Sequence, residues 1–229
     1  MASREPRAGA SRTLRLAHRG DWRRAPENTI PAFLAALRVP GCDGLEFDVR
    51  LSRDGVPVCN HDETLARVHG IDRRVADLSA DELEAIGVPT LGAALAAIPR
   101  RAFLDVELKG DPGRAAFEAL VAGRGPGLER AVVSSFDDGA LRRIGGWAPT
   151  WPRWLNARDA APATVERAVD LDCRGLAVEW HALDRAATDR VREAGLEVAA
   201  WTVRRRPTYA RLARLGVVAI CAEAAALDG

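Results

Sequence analysis

The strongest constraint this chain places on its own fold is a rhythm. Short runs rich in β-branched and apolar residues alternate with Ala- and Leu-rich stretches of helical period, and the alternation repeats eight times. The predicted strands are Leu14–His18, Gly44–Val49, Phe103–Leu108, Ala131–Ser135, Thr150–Leu155, Gly175–Val178, Glu197–Val203 and Val217–Cys221. The predicted helices are Thr29–Arg38 (with Asn28 as N-cap), Leu91–Ile98 (capped by Thr90), Pro112–Val121, Asp138–Ile144, Ala161–Asp170, Asp184–Ala194 and Tyr209–Leu215. Parallel strands need a crossover, usually a helix, so the rhythm predicts an α/β chain with a parallel sheet. An eight-stranded (β/α) barrel ordinarily takes about 250 residues, which makes 229 a lean example. A doubly wound open sheet is the alternative, but no GxGxxG follows the first strand, which weakens its dinucleotide-binding version.

One region breaks the rhythm. Residues 50–88 follow the second strand without a simple helix. Ser52-Arg53-Asp54-Gly55 reads as a tight turn, so Val49–Leu51 and Val56–Asn60 are expected to form a hairpin. Residues 62–88 then make a short insertion above the barrel mouth, with a capped small helix in Asp77–Leu83. The expected organisation is a disordered tail over 1–12 and one domain over 13–229.

Charge excludes some partners. Basic and acidic residues number 33 and 32, mixed along the chain, which leaves no local basic surface for nucleic acid. No apolar run is long enough to span a bilayer or to act as a secretory signal. Cys42, Cys59, Cys173 and Cys221 are scattered without a CxxC and read as reduced, mostly buried thiols. These features set the expectation of a cytoplasmic protein without a stable membrane anchor.

The charged residues sit where strands end. His18-Arg19-Gly20 closes the first run, Glu46 and Asp48 stand two apart in the second, His61-Asp62 ends the hairpin, and Glu107 and Lys109 stand two apart in the third strand of the rhythm. Residues i and i+2 of a strand share a face, so these side chains project together, and burying unpaired charge is costly. Glu46, Asp48 and Glu107 offer only oxygen, which suits magnesium, calcium or manganese rather than zinc. The bland alternative is a charged strand pair neutralised by Arg19 and Lys109. His18 and His61 titrate near neutrality and suit a general acid and base, against two hydrogen-bonded structural histidines. Arg19 offers a fork of donors for phosphate and Lys109 a point charge. Glu27 either orients Arg19 or His18 or simply favours a helix N-terminus. Trp201 fits core packing and a pocket wall alike, His69 and His181 lack such company, and Trp147, Trp151 and Trp154 suit core, rim or a subunit contact. From the residues alone, the site reads as metal-assisted attack on an anionic substrate, most naturally a phosphate ester.

In these residues the chain resembles the glycerophosphodiester phosphodiesterase family. The resemblance is carried by Ala17-His18-Arg19-Gly20, Pro26-Glu27-Asn28-Thr29 with Ala32-Phe33, Glu46-Phe47-Asp48-Val49, Asp54-Gly55 with His61-Asp62, Pro89-Thr90-Leu91, Glu107-Leu108-Lys109, Ser134-Ser135-Phe136 and Trp201-Thr202-Val203, in the family's order. It implies a (β/α)8 TIM barrel with its site at the C-terminal strand ends. It also implies one divalent cation, Mg2+ or Ca2+, and hydrolysis of glycerophosphodiesters to sn-glycerol 3-phosphate and an alcohol. By motif, Glu46, Asp48 and Glu107 resemble the metal ligands and His18 and His61 the acid–base pair. Arg19 and Lys109 resemble the phosphate contacts, and Trp201 a wall beside the glycerol. Two departures stand out: Arg204 where Asn often follows Trp-Thr-Val, and Cys221-Ala222-Glu223-Ala224 where a Thr-Asp-x-Pro-type ending is usual. They put rim contacts in doubt, and an extra anionic group of the substrate could meet the arginines at 204–206.

The rival functions are a phospholipase D- or C-like activity on lysophospholipids or inositol lipids, a non-catalytic barrel that binds phosphodiesters, and an unrelated metal-dependent lyase. The first wants an apolar groove at the mouth, which residues 62–88 do not offer. The second should have lost one of His18, Glu46, Asp48, His61 or Glu107, and the third leaves the paired histidines unexplained. The expected partner is a small glycerophosphodiester, and a homodimer is left open.

Overall fold

The computed structural model describes residues 12–111 and 113–229. The tail expected over 1–12 therefore lies, apart from Arg12, outside the described residues. Nine strands form one sheet: β1 (Leu14–His18), β2 (Gly44–Leu51), β3 (Pro57–Cys59), β4 (Phe103–Leu108), β5 (Ala131–Ser135), β6 (Arg153–Ala157), β7 (Gly175–Glu179), β8 (Glu197–Val203) and β9 (Ala219–Ala222). β3 is the antiparallel arm of a hairpin with β2, joined through the expected turn, with Val49 opposite Cys59. The other strands are parallel, and β1 pairs with both β2 and β9, so the sheet closes on itself. That closure excludes the open doubly wound alternative and gives a (β/α)8 barrel.

Alternation along each strand sorts the side chains into two cores. Outward-facing Ala17, Leu45, Phe47, Leu104, Val106, Val133, Leu155, Leu176 and Val178 are buried under the surrounding helices. Inward-facing Leu16, Val132, Trp154, Ala177, Ala199 and Ala219 fill the lower barrel. Strands covered on both faces need near-continuous apolar runs, which is why the rhythm was legible. Space inside is tight: a Cβ at Gly44 would lie 1.9 Å from the Phe103 carbonyl oxygen, and one at Gly175 would lie 2.9 Å from the Trp154 ring. At both positions the adjoining strand's backbone approaches too closely for a side chain, the Phe103 carbonyl at Gly44 and the Glu197 carbonyl, at 2.8 Å, at Gly175.

Several boundaries shift for identifiable reasons. The fifth parallel strand, β6, begins at Arg153, not Thr150. Pro152 lacks a ladder donor, and Trp151 is buried outside the barrel, stacked on Phe117 at 4.9 Å with its Nε1 donating to the Pro126 carbonyl at 2.7 Å. The first helix, Ile30–Ala36, is capped by Thr29 rather than Asn28. Asn28 adopts φ 58° and turns its amide toward β2 instead. The last predicted helix starts early, at Arg206, and runs to Arg214.

The stretch after β3 has its own small core of Val58, Leu65, Val75, Leu78, Leu83 and Val88, all buried. The small helix expected there covers Ala80–Ala85 and starts after Ser79, which forms a capping box with Glu82. Among the described residues, no helix is long and apolar enough to cross a membrane.

Candidate active site

The inward series of residues continues above the apolar floor and becomes polar. His18 follows Leu16 on β1, Glu46 and Asp48 follow Gly44 on β2, and Asp105 and Glu107 follow Phe103 on β4. Parallel register sets Glu46 beside Asp105 and Asp48 beside Glu107, and His18 beside Glu46. A cavity of about 240 Å³ opens over them, lined by His18, Arg19, Glu46, His61, Glu107, Lys109 and Trp201 among others. Asp48 lies beneath, fully buried. The structure thus brings every residue singled out for chemistry to one end of the barrel. His69 and His181 stay outside this cavity, the latter held by Glu179 at 2.7 Å.

Glu46, Asp48 and Glu107 each place a carboxylate oxygen within 4.8 Å of the others. Oxygen ligands of hard cations sit about 2.0–2.6 Å from the ion, so three oxygens this close can share one. Glu46 Oε2 is buried without a hydrogen-bond partner, and His18 Nε2 is 3.7 Å from it. Burial, then the charges of Asp48 and Glu107, raises the Glu46 pKa well above the usual carboxylate range. Burial and Asp48 likewise push Glu107 up to about 7. An orphaned acceptor in an oxygen-only set, destabilised as an anion, fits a hard divalent cation.

The cations around this set already grip it. Lys109, the one lysine of the sequence, pairs with Glu107 and, at 3.0 Å, with Asp48. Arg19 Nε lies 3.1 Å from Asp48, and its Nη1 donates to Glu27 at 2.9 Å. Asn28 Nδ2 donates to Asp48 at 2.9 Å while its Oδ1 accepts from the Asp48 backbone N–H at 3.1 Å. Burial opposes ionisation of Asp48, but Lys109, Arg19 and His61 outweigh it and hold its pKa below the usual range. The ion-pairing alternative for Arg19 and Lys109 is therefore realised here, and it coexists with a placement at the cavity wall. Glu27 orients Arg19, not His18.

Arg19 itself has φ 59°, a left-handed conformation that costs an L-residue about 1 kcal/mol or more. Its N–H donates to the Glu46 carbonyl at 2.7 Å and its own carbonyl accepts from Asn28 N–H at 3.0 Å. These bonds turn the chain back over the mouth. Gly20 completes the turn at φ 85°, where a Cβ would meet Ala32 backbone at 2.7 Å.

Each imidazole has an acid behind it. His18 Nδ1 is 2.5 Å from Glu223 Oε1, and His61 Nδ1 is 2.6 Å from Asp62 Oδ1. Nδ1–H donated to a carboxylate leaves Nε2 as the free nitrogen of a neutral ring. Burial lowers the His61 pKa despite the neighbouring Asp48 and Asp62. Arg67, from the stretch after β3, donates to Asp62 at 2.6 Å and, through both Nη atoms, to Glu27 at 2.9 and 2.7 Å. One ion-pair chain therefore links the His61 acid to the Arg19 acid.

Sequence reasoning missed Glu223, Asp105 and the role of Asn28. Glu223 lay in a segment read as a departure from the family ending. In the structure it holds His18 and accepts from Arg204 Nε at 2.8 Å, and its pKa falls to about 2 because these partners overcome the cost of burial. Asp105 is buried under the cavity, and burial raises its pKa to about 7 despite a Ser134 hydrogen bond. The i, i+2 parity with Glu107 was the available signal. Trp201 does line the cavity, braced by its Nε1 donating to the Ala177 carbonyl at 2.9 Å and by Phe136 edge-on at 5.5 Å.

The model of the glycerophosphoryl diester phosphodiesterase family matches residues 18–112 and 113–226. A glycerophosphodiester phosphodiesterase of Caldanaerobacter subterraneus is 28% identical over 224 residues, which is 90% of this chain and 92% of that protein. An Oleispira antarctica phosphodiesterase, solved in complex with the product sn-glycerol-3-phosphate, matches with a TM-score of 0.79 at 28% identity, over 92% of this chain and 93% of that one. A Silicibacter pomeroyi protein, at 24% identity and a TM-score of 0.82 over 94% of this chain and 91% of its own, shares the fold.

Proposed function

This chain belongs to the glycerophosphoryl diester phosphodiesterase family, and from that premise we propose that it hydrolyses glycerophosphodiesters to sn-glycerol 3-phosphate and an alcohol with one divalent cation, Mg2+ or Ca2+. The observation that carries the reading is convergence. Three carboxylates within 4.8 Å of one another, Glu46 and Glu107 in the cavity lining and Asp48 beneath it, meet two imidazoles and the cationic side chains of Arg19 and Lys109.

Glu46, Asp48 and Glu107 would hold the cation, which when bound would withdraw charge from the phosphoryl oxygens. Arg19 presents a planar fork to the phosphate and Lys109 a point charge. Both start out committed to Asp48, and the substrate phosphate competes with that carboxylate for them. One imidazole takes the proton of the nucleophile, either water or the neighbouring glycerol hydroxyl, the latter giving a cyclic phosphate that water then opens to the product. The other protonates the leaving alkoxide. Glu223 and Asp62 bind the Nδ1 side of their rings, which fixes orientation and leaves Nε2 of each to handle the proton. Trp201 closes one side against the glycerol.

Incubation with glycerophosphocholine and glycerophosphoethanolamine, with magnesium, calcium or chelator, tests this reading. Release of sn-glycerol 3-phosphate, abolished by chelator, is the expected result. Free choline with lysophosphatidic acid from a lysolipid would instead indicate the phospholipase activity, and no turnover a binding protein.

A further inference from the structure

One cation at the mouth takes no part in the chemistry above. β6 carries the inward-facing Trp154 and Asn156, and Arg158 follows its last residue, Ala157, exposed at the rim: Trp154 packs in the barrel floor, and Asn156 and Arg158 line the cavity. In the closed sheet β6 is four strands from β1 in either direction. Arg158 therefore stands across the opening from His18 and Arg19.

Its charge is unanswered. Arg19 is held by Glu27 and Asp48, and Lys109 by Asp48 and Glu107. Arg204, which the sequence offered for an extra anionic group, gives its Nε to Glu223 and does not line the cavity. Among the described residues, Arg158 is the cavity-lining cation without an acidic partner. Phe136, just beyond β5, and Trp201, on β8, give the cavity an apolar side, their rings in edge-to-face contact at 5.5 Å. An exposed guanidinium at the rim of a substrate cavity, free of ion pairs, is a ready receptor for a carboxylate or phosphate.

We propose that Arg158 forms a subsite for a second anionic group, carried on the alcohol half of the diester beyond the scissile phosphate. The proposal rests on the phosphodiesterase reading above, in which the glycerol half is constant and uncharged and the alcohol half varies. Preferred substrates would be glycerophosphodiesters whose head group bears a carboxylate or a phosphomonoester.

Two substrate pairs isolate that charge. Glycerophosphoserine and glycerophosphoethanolamine differ by one carboxylate; glycerophosphoglycerol phosphate and glycerophosphoglycerol differ by one phosphate. The quantity read is the ratio of kcat/KM within each pair, for the full chain and for Arg158→Ala and Arg158→Glu. One charge-assisted hydrogen bond lost at a partly exposed site should lower the ratio about 10-fold in Arg158→Ala, and charge reversal should lower it further. A fall in the carboxylate pair alone, the phosphate pair alone or both supports the subsite and identifies the group it takes. Ratios unchanged within about twofold in both variants, while both substrates are still turned over, overturn the subsite and leave the phosphodiesterase reading standing. Absence of turnover of every diester by the unmodified chain overturns both.

Discussion

Removing divalent cation and raising the pH should destabilise this protein in a way that ordinary surface acids would not. Glu107 and Asp105 are buried, and burial raises both to about 7, while Glu46 is raised as well. A carboxyl whose folded pKa exceeds its unfolded value favours the folded state below the unfolded pKa, and that contribution is lost as pH rises through the folded pKa. The window therefore runs from about pH 4 to 7, where the unfolded chain has released these protons and the folded chain still holds them. Each shift from the ordinary value near 4 to about 7 is worth about 3–4 kcal/mol. The two do not add in full, because each includes the other's charge. Asp48 and Glu223 have depressed values and are ionised in both states above about pH 5, so they add no slope there. His61 works the other way, since burial lowers its pKa, but its contribution is complete by about pH 6.5. A net loss of about 3 kcal/mol on going from pH 5.5 to 8 would lower Tm by about 6–12 °C in a domain of this size. A hard cation binds the ionised carboxylates, so it should restore about 2.7 kcal/mol at 100 times its Kd, with a larger shift at pH 8 than at pH 5.5. Thermal unfolding with chelator, magnesium and calcium at both pH values reads all of this. A chelated protein whose Tm is flat or rises from pH 5.5 to 8 would refute the reasoning.

Glu46→Gln should lose the cation-induced rise in Tm at pH 8; a shift equal to that of the unmodified protein would remove Glu46 from the ligand set. His18→Ala and His61→Ala should each slow turnover of glycerophosphocholine by about 10²–10⁴-fold, checked by steady-state kinetics beside circular dichroism to confirm folding. Glu223→Gln should lower kcat by about 10–100-fold through loss of the charged bond to His18, whereas Arg204→Ala should change it little, because that partner is largely exposed; equal losses in the two would contradict this division. Gly44→Ala should cost about 3 kcal/mol, at the upper end of overpacking, because its Cβ would meet the Phe103 carbonyl on the adjoining strand; denaturant unfolding at unchanged midpoint would disprove it.

What was legible in this sequence follows the reach of each interaction. The strands β1, β4, β5 and β8 fell at the expected residues because a strand buried on both faces announces itself locally. Parity did the same for the site: Glu46 with Asp48 and Glu107 with Lys109 share faces by spacing alone, and register then brings them together. Local rules failed where a distant partner outbid them. Asn28 satisfies every local criterion for an N-cap, yet its amide goes to Asp48, and Thr29 takes the cap. Ser, Thr, Asn and Asp are nearly interchangeable as caps, whereas one residue that both donates to and accepts from Asp48 has to carry an amide.

Glu223 shows the limit more sharply. It lies 205 residues from His18, and the contact exists only because β9 closes the barrel against β1, with Ala17 beside Ala222. Read along the chain, Cys221-Ala222-Glu223-Ala224 looks like a motif lost. Read around the barrel, Glu223 is the inward-facing residue two beyond Cys221, which lines the same cavity, and the closing strand can only deliver it to His18. Arg204 then becomes intelligible: with Glu223 buried as an anion, a cation at the end of β8 offsets it. Arg204 and Glu223 are thus joined in one ion pair behind His18. Neither touches the carboxylates that would hold a metal. Exchanging Glu223 and Arg204 together should therefore retain less turnover than a conservative Glu223→Asp change does, because what His18 requires is an acid just beyond β9 and not the ion pair as such. Recovery of turnover by the swapped pair to the unmodified level would show the reverse.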